Sequence, residues 1–233
     1  MTSFSETIEA SHRHVDPANW ENIYIVGDPH GCLAELDELC AAIDLTDDDL
    51  LVFVGDLVRK GPDSKGVVDR VRNAPNMLTV RGNNEEKLLR GDKQLDELTD
   101  DDLEWIASLP IVISLPDTLV VHGGIDPRKP RADHTVDDLQ NTRSLVPGGS
   151  YDSPYWFEEY AGPERIFFGH TVLDRPVVRE HAVGLDTGCV YGGELTAYNW
   201  RTGELTAVPA AETAVDRSEE KILDPKANAV PTP

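Results

Sequence analysis

From residue 23 onward the chain alternates short apolar runs with amphipathic stretches. Segments 23–27 (IYIVG), 50–55 (LLVFVG) and 77–82 (MLTVRG) contain short apolar runs closed by glycine, the pattern of strands buried on both faces. Between them, 33–43 carries apolar residues at helical spacing, 64–73 reads as a second helix, and Glu85 opens a third. Strand–helix–strand alternation predicts an α/β fold with parallel pairing and helices covering the sheet. The second half changes character. Segment 111–124 reads as a hairpin turning at Pro116-Asp117, and 165–170, 176–186, 193–200 and 204–209 read as short strands separated by turn residues. Residues 1–20 are polar and are expected to form a mobile arm. Residues 211–233 lose the pattern and are expected to be a disordered tail. One domain over 21–210 remains, with no internal repeat.

Composition narrows the class. A chain of 233 residues can bury an ordinary single core. It has no apolar run near the ~20 residues that span a bilayer, and its N-terminus lacks the apolar region of a secretory signal. Cys32, Cys40 and Cys189 form no CxxC pair, which argues against a disulfide scaffold or a structural zinc site. A cytoplasmic protein without membrane contact is expected. Acidic residues number 43 against 21 basic, a formal charge of −22, with Arg over Lys 14 to 7 and Asp over Glu 25 to 18. Each acidic block (47–49, 100–102, 137–138) reads as a solvated face or a helix start. Together they describe a surface that stays hydrated where salt shrinks the Debye length to ~3 Å, as in the cytoplasm of a halophilic archaeon. No basic stripe exists to release phosphate counterions, so duplex nucleic acid is not an expected partner.

Candidate chemistry lies just after the strands. Strand one ends in Asp28-Pro29-His30, strand two in Gly55-Asp56, strand three in Gly82-Asn83-Asn84-Glu85, the hairpin in His122-Gly123, and a later strand in Gly169-His170. Carboxyl ends of strands in α/β sheets converge on the ligand crevice. Two Asp, three His and one Asn are thereby delivered to one place, a donor set that suits Mn, Fe or Zn. Asp56 is placed to bridge two cations, as two-metal hydrolytic sites require. Taken singly, each residue has an ordinary reading as a cap, a turn or a packed side chain.

GDPHG, GDLVRKGPDS, RGNNE, HGG and GHT resemble, in order, the five motifs of the calcineurin-like metallophosphoesterases. KGPDS and GLDTGCVYGGELTAY resemble the branch related to diadenosine tetraphosphatase. The likeness runs from Ile23 to Ala207. It implies a four-layer αββα sandwich of two packed mixed sheets and two divalent metal ions, manganese first, with iron or zinc as alternatives. By that resemblance Asp28, His30 and Asp56 hold one metal, while Asp56, Asn83, His122 and His170 hold the other. A metal-bridging hydroxide would attack phosphorus directly. Lys60 stands where the family has a phosphate-gripping Arg, and Arg143 resembles the second clamp; both have an ordinary reading as charge balance. Cys189 and Tyr191 shape the pocket or form a strand-connecting turn. Cys32 lacks a cationic partner and is not expected to act as a nucleophile.

One departure matters. The family motif Gly-Asn-His-Glu reads Gly82-Asn83-Asn84-Glu85 here, and Arg59 replaces the usual Asp partner of the missing His. Asn84 is either a helix N-cap or a catalytic amide that donates a hydrogen bond without delivering a proton. Arg59 either supplies transition-state charge or pairs with a surface acid. Loss of a general acid, typically ~10²–10⁴-fold, matters least for weakly basic leaving groups. The expected substrates are therefore small phosphoanhydrides, dinucleoside polyphosphates or polyphosphate. A serine/threonine phosphatase and a metal-binding regulatory protein are the alternatives. The sequence does not fix the oligomeric state. The acidic surface predicts that the melting temperature rises between low and molar KCl; a melt that does not move contradicts a salt-adapted surface.

Overall fold

A computed structural model of the chain describes residues 3–225. Its strands are β1 (His12–His14), β2 (Ile23–Val26), β3 (Leu50–Phe53), β4 (Met77–Thr79), β5 (Val112–Leu115), β6 (Thr118–Val120), β7 (Arg165–Phe168), β8 (Val177–Val178), β9 (Ala182–Gly184), β10 (Glu194–Asn199) and β11 (Leu205–Pro209). Its helices are α1 (Glu6–Glu9), α2 (Leu33–Ala42), α3 (Ser64–Arg72), α4 (Asn83–Leu89), α5 (Asp100–Ser108), α6 (Val136–Asn141) and α7 (Trp156–Glu159).

Two mixed sheets pack face to face. One has the order β11-β10-β2-β3-β4, with β2, β3 and β4 parallel and β10 antiparallel to β2. The other has the order β1-β5-β6-β7-β9-β8, in which β5 and β6 form the expected hairpin. Strand periodicity assigns each side chain to a layer. Leu50, Val52 and Val54 point between the sheets with Ile113, Val120, Phe167 and Val183. Leu51 and Phe53 point the other way, onto α2 and α3 through Leu36, Leu39, Val67 and Val71. Ile166 and Phe168 point outward from the second sheet onto Trp156, Phe157 and Leu139 of α7 and α6. Both faces of each sheet are covered, which is why these strands read as unbroken apolar runs. The result is the four-layer αββα sandwich.

The acidic blocks divide. Asp100–Asp102 and Asp137-Asp138 occupy the first turns of α5 and α6, where carboxylates meet unpaired backbone N–H groups. Asp49 is instead buried in a turn, accepting hydrogen bonds from Asn22 and Thr46.

The expected arm and tail are corrected over their described residues. Phe4 and Ile8 bury into the outer cluster beside Ile111 and Val112, and β1 pairs parallel with β5 as an edge strand. An edge strand with one paired side can be polar, so His12–His14 shows no apolar alternation. In the C-terminal segment Leu223 is buried, its N–H donates to Val172 O at 2.8 Å, and Val215 N–H donates to Val190 O at 3.1 Å. Residues 226–233 of the expected tail lie outside the described residues.

Ile8 is fully buried although it lies near the chain end. Ile8→Ala is expected to cost about 2 kcal/mol, read from the urea midpoint; an unchanged midpoint would mean that residues 3–20 add nothing to the native state.

Candidate metal centre

All six expected ligands meet at the carboxyl ends of β2, β3, β4, β6 and β7. Asp28, Asp56 and His122 place ligand atoms within 4.8 Å of one another, and all three are at most 2% exposed. His30 Nε2 lies 3.5 Å from Asp56 Oδ2, and His122 Nε2 lies 3.3 Å from both Asp56 Oδ1 and Asn83 Oδ1. The His170 ring sits 5.2 Å from that of His122, and its backbone N–H donates to Asp28 Oδ2 at 3.0 Å.

The tight loops that achieve this are strained. His30, Asp56, Arg59, Lys60 and His170 all have φ between +48° and +75°, a region that costs a residue with a Cβ about 1–3 kcal/mol. Glycine permits the closest approaches: a Cβ on Gly82 would strike the Asp56 carboxylate, and one on Gly169 would strike that of Asp28. Glu85 braces the loops. Its Oε2 accepts the backbone N–H groups of Asp56 (3.0 Å) and Gly82 (2.8 Å), and Oε1 accepts that of Val58 (3.1 Å). Burial, and then the Asp56 charge, push Glu85 up to about 7.

Hydrogen bonding sets the histidines up as ligands. His30 Nδ1 donates to Val58 O at 3.1 Å and His122 Nδ1 donates to Val54 O at 2.8 Å. A carbonyl can only accept, so in each neutral ring Nε2 carries the lone pair; that of His122 faces the Asp56 carboxylate, and that of His30 takes the Lys60 ammonium with Asp56 beyond it. A lone pair 3.3 Å from two oxygens requires a proton or a cation between them. Burial opposes protonation of His122, yet Asp56 outweighs it and raises His122 above its usual range. Burial would raise Asp56, but His122, His30 and Lys60 hold it well below the carboxylate range. Burial, Asp186 and Asp56 drive Asp28 well above it. Burial and then Lys60 lower His30 to about 3, while burial and Arg143 hold His170 neutral. Asp28 Oδ1 is buried with no hydrogen-bond partner among the described residues. An orphaned carboxylate oxygen and inward-facing imidazole nitrogens fit a divalent cation of the Mn, Fe or Zn kind.

Lys60 Nζ lies 2.7 Å from His30 Nε2, and Arg143 Nη2 donates to His170 O at 3.0 Å, so both expected clamps border the centre. Arg59 donates to Asn84 Oδ1 and makes no ion pair with a carboxylate among the described residues; the expected surface pairing is absent. Asn84 is not the N-cap, which is Gly82. Its Nδ2 donates to Asp56 Oδ2, and its side chain links Arg59 to the buried carboxylate. Cys32 clusters with Glu35 and Cys189, a group separate from the carboxylates.

Asp186 escaped the sequence reading. It is buried at the end of β9, its Oδ1 accepts the Gly188 N–H at 3.1 Å, and burial raises it despite Lys60. The strand-then-carboxylate pattern that found Asp28 and Asp56 also fits Leu185-Asp186, so the signal was present. Arg217 and Tyr151 lie beside the Arg143 clamp, whose guanidinium is 4.6 Å from the Tyr151 ring, and no pattern pointed to them.

A family model described as calcineurin-like phosphoesterase matches residues 21–200, and the chain belongs to that family. Membership implies divalent metal ions and makes the chain a phosphoric-bond hydrolase. Among its relatives, bis(5'-nucleosyl)-tetraphosphatase PrpE of Halalkalibacterium halodurans is 32% identical, over 82% of this chain and 95% of the relative. Serine/threonine-protein phosphatase 1 of Salmonella typhimurium is 28% identical, over 81% of this chain and 96% of the relative. A crystal structure described as a candidate diadenosine tetraphosphatase superposes with TM-score 0.78 at 32% identity, over 86% of this chain and 98% of that one. No helix among the described residues is long and apolar enough to cross a membrane.

Mn²⁺ at about 100 times its Kd is expected to stabilise the protein by about 2.7 kcal/mol in thermal melts. Asp56→Asn, which removes the central carboxylate, is expected to lose most of that gain. Equal stabilisation of both proteins would place the cation elsewhere on the acidic surface.

Proposed function

We propose that the protein hydrolyses small phosphoanhydrides, dinucleoside polyphosphates or inorganic polyphosphate, in one displacement by water. The observation behind this reading is Asn84: the position facing Asp56, where the family has a proton-donating His, holds an amide already bonded to Asp56 and Arg59.

Two divalent cations, manganese in our reading with iron or zinc as alternatives, would be held by Asp28, His30 and Asp56 and by Asp56, Asn83, His122 and His170, supplying Lewis acidity and an acidified water. The chain's own residues orient the substrate. Lys60 and Arg143 flank the centre and would grip the reacting phosphate, meeting charge that grows in the transition state. Arg59 reaches the site through Asn84 and polarises its amide, so that Nδ2 is a stronger donor to Asp56. An amide cannot release a proton near neutral pH. The leaving group must therefore depart unaided, which suits a phosphate or nucleotide (second pKa ~6 for a phosphate monoester) and not an alkoxide. No covalent intermediate is required, since the Cys32 thiol faces Cys189 and Glu35.

Two relatives bear on the substrate. The similarity to tetraphosphatase PrpE supports the anhydride reading. The similarity to serine/threonine-protein phosphatase 1 favours phosphoproteins as the second reading, which the lack of a proton donor at Asn84 opposes. Phosphate release in molar KCl with Mn²⁺ is expected to be faster from diadenosine tetraphosphate than from a phosphoserine peptide; equal rates would overturn the assignment. Asn84→His is expected to speed alkyl phosphoester hydrolysis by a factor within the general-acid range of ~10²–10⁴ and to change anhydride hydrolysis far less. One common factor for both substrates would show that leaving-group basicity does not govern specificity.

A further inference from the structure

Between the two phosphate clamps lies a row of alternating cations and rings in which Arg217 and Tyr151 lie outside the family motifs and the metal ligands. Lys60 Nζ stands 5.4 Å from the centre of the Tyr191 ring. The Arg217 guanidinium lies 4.7 Å from the same ring. Arg217 Nη2 donates to the Tyr151 hydroxyl at 2.9 Å, and the Arg143 guanidinium lies 4.6 Å from the Tyr151 ring. Lys60, Tyr191, Arg217, Tyr151 and Arg143 thus form an arc whose two ends touch His30 and the His170 carbonyl. Aromatic faces favour cations within ~6 Å, and so the rings hold the guanidinium groups in place before any ligand arrives.

The cations of this arc have no close ion-pair partner, and the buried Asp56 and Asp186 act on them only from farther away. No carboxylate lies within ion-pairing distance of Lys60, Arg143 or Arg217 among the described residues, although the chain carries 43 acidic side chains. Arg217 is half-buried and is fixed from behind, its Nε donating to Lys221 O at 3.0 Å. Burial lowers Arg143 and Arg217 lowers it further, while Tyr151 and Asp186 counteract the shift. Three cations held near one another, none paired with a carboxylate at ion-pairing distance among the described residues, offer a site for an anion longer than one phosphate.

We propose that Arg217, supplied by the C-terminal segment, binds a phosphate beyond the one that reacts, and that the arc selects linear polyphosphate chains over phosphate monoesters. The inference rests on the anhydride reading above and assigns its specificity to a residue outside the family motifs. Lys60 and Arg143 hold the reacting phosphate at the ends of the arc. Arg217 between them meets the next phosphate with a planar, two-pronged donor.

The test measures kcat/KM for inorganic tripolyphosphate, diadenosine tetraphosphate and p-nitrophenyl phosphate in wild type, Arg217→Ala, Arg217→Lys and Tyr151→Phe. In Arg217→Ala the ratio of either polyphosphate to p-nitrophenyl phosphate is expected to fall about tenfold, the loss of one charge-assisted contact, and to do so through KM. Arg217→Lys is expected to recover part of that ratio. Tyr151→Phe, which frees the guanidinium, is expected to lower it by a smaller factor. A uniform fall for all three substrates would mark Arg217 as a structural strut and overturn the proposal. A fall confined to diadenosine tetraphosphate would place Arg217 on the nucleoside and also overturn it. Wild-type enzyme that cleaves p-nitrophenyl phosphate but neither polyphosphate would refute the anhydride reading itself. Normal wild-type polyphosphate cleavage with an unmoved ratio in Arg217→Ala would refute the role of Arg217 alone.

Discussion

Asp28 and Asp56 end neighbouring parallel strands, and their carboxylates are buried within reach of one cation. Two like charges about 5 Å apart repel by roughly 3 kcal/mol at an effective dielectric of 20, and burial removes the water that would screen them. The surroundings answer this repulsion. His30 and His122 turn Nε2 toward Asp56 because backbone carbonyls hold their other nitrogens. Lys60 leans in beside His30. Asp28 is left with an oxygen that no protein group among the described residues satisfies. A centre that combines excess buried carboxylate with inward lone pairs gains most from a divalent ion.

Holding it requires a stiff frame. Five strained non-glycine residues surround the centre, each in a backbone region that costs about 1–3 kcal/mol. They are over-determined by the fully buried strands Leu50–Phe53 and Ile166–Phe168 and by Glu85, which gathers three backbone N–H groups from two loops. The layers of the sandwich serve the site by making these loops unable to relax. The same frame leaves the rim of the centre to irregular segments, where Arg59, Lys60, Arg143 and Arg217 collect.

The core strands and the candidate ligand set were legible because both are local patterns. An apolar run ending in Gly-Asp or Gly-Asn announces itself within about six residues, and β2, β3 and β4 with Asp28, Asp56 and Asn83 all follow it. The edge strand β1 was missed because one-sided pairing leaves a polar sequence. The segment 211–225 was missed because its attachment is made of scattered contacts to residues far away in sequence, such as the backbone bonds to Val190, Val172 and Asp174 and the Arg217 bond to Tyr151. Arg217 was invisible for the same reason, since only the folded chain places it between Tyr151 and Tyr191. Asn84 was readable as a substitution, but its link from Arg59 to Asp56 depended on the loop after β3 meeting the start of α4.

The central claim is that Asp56 is shared by two cations. Anomalous diffraction from crystals soaked in Mn²⁺ tests it most directly. Two peaks are expected to flank the Asp56 carboxylate, one toward Asp28 and His30 and one toward Asn83, His122 and His170. A single peak away from Asp56, or none at saturating metal, would contradict it.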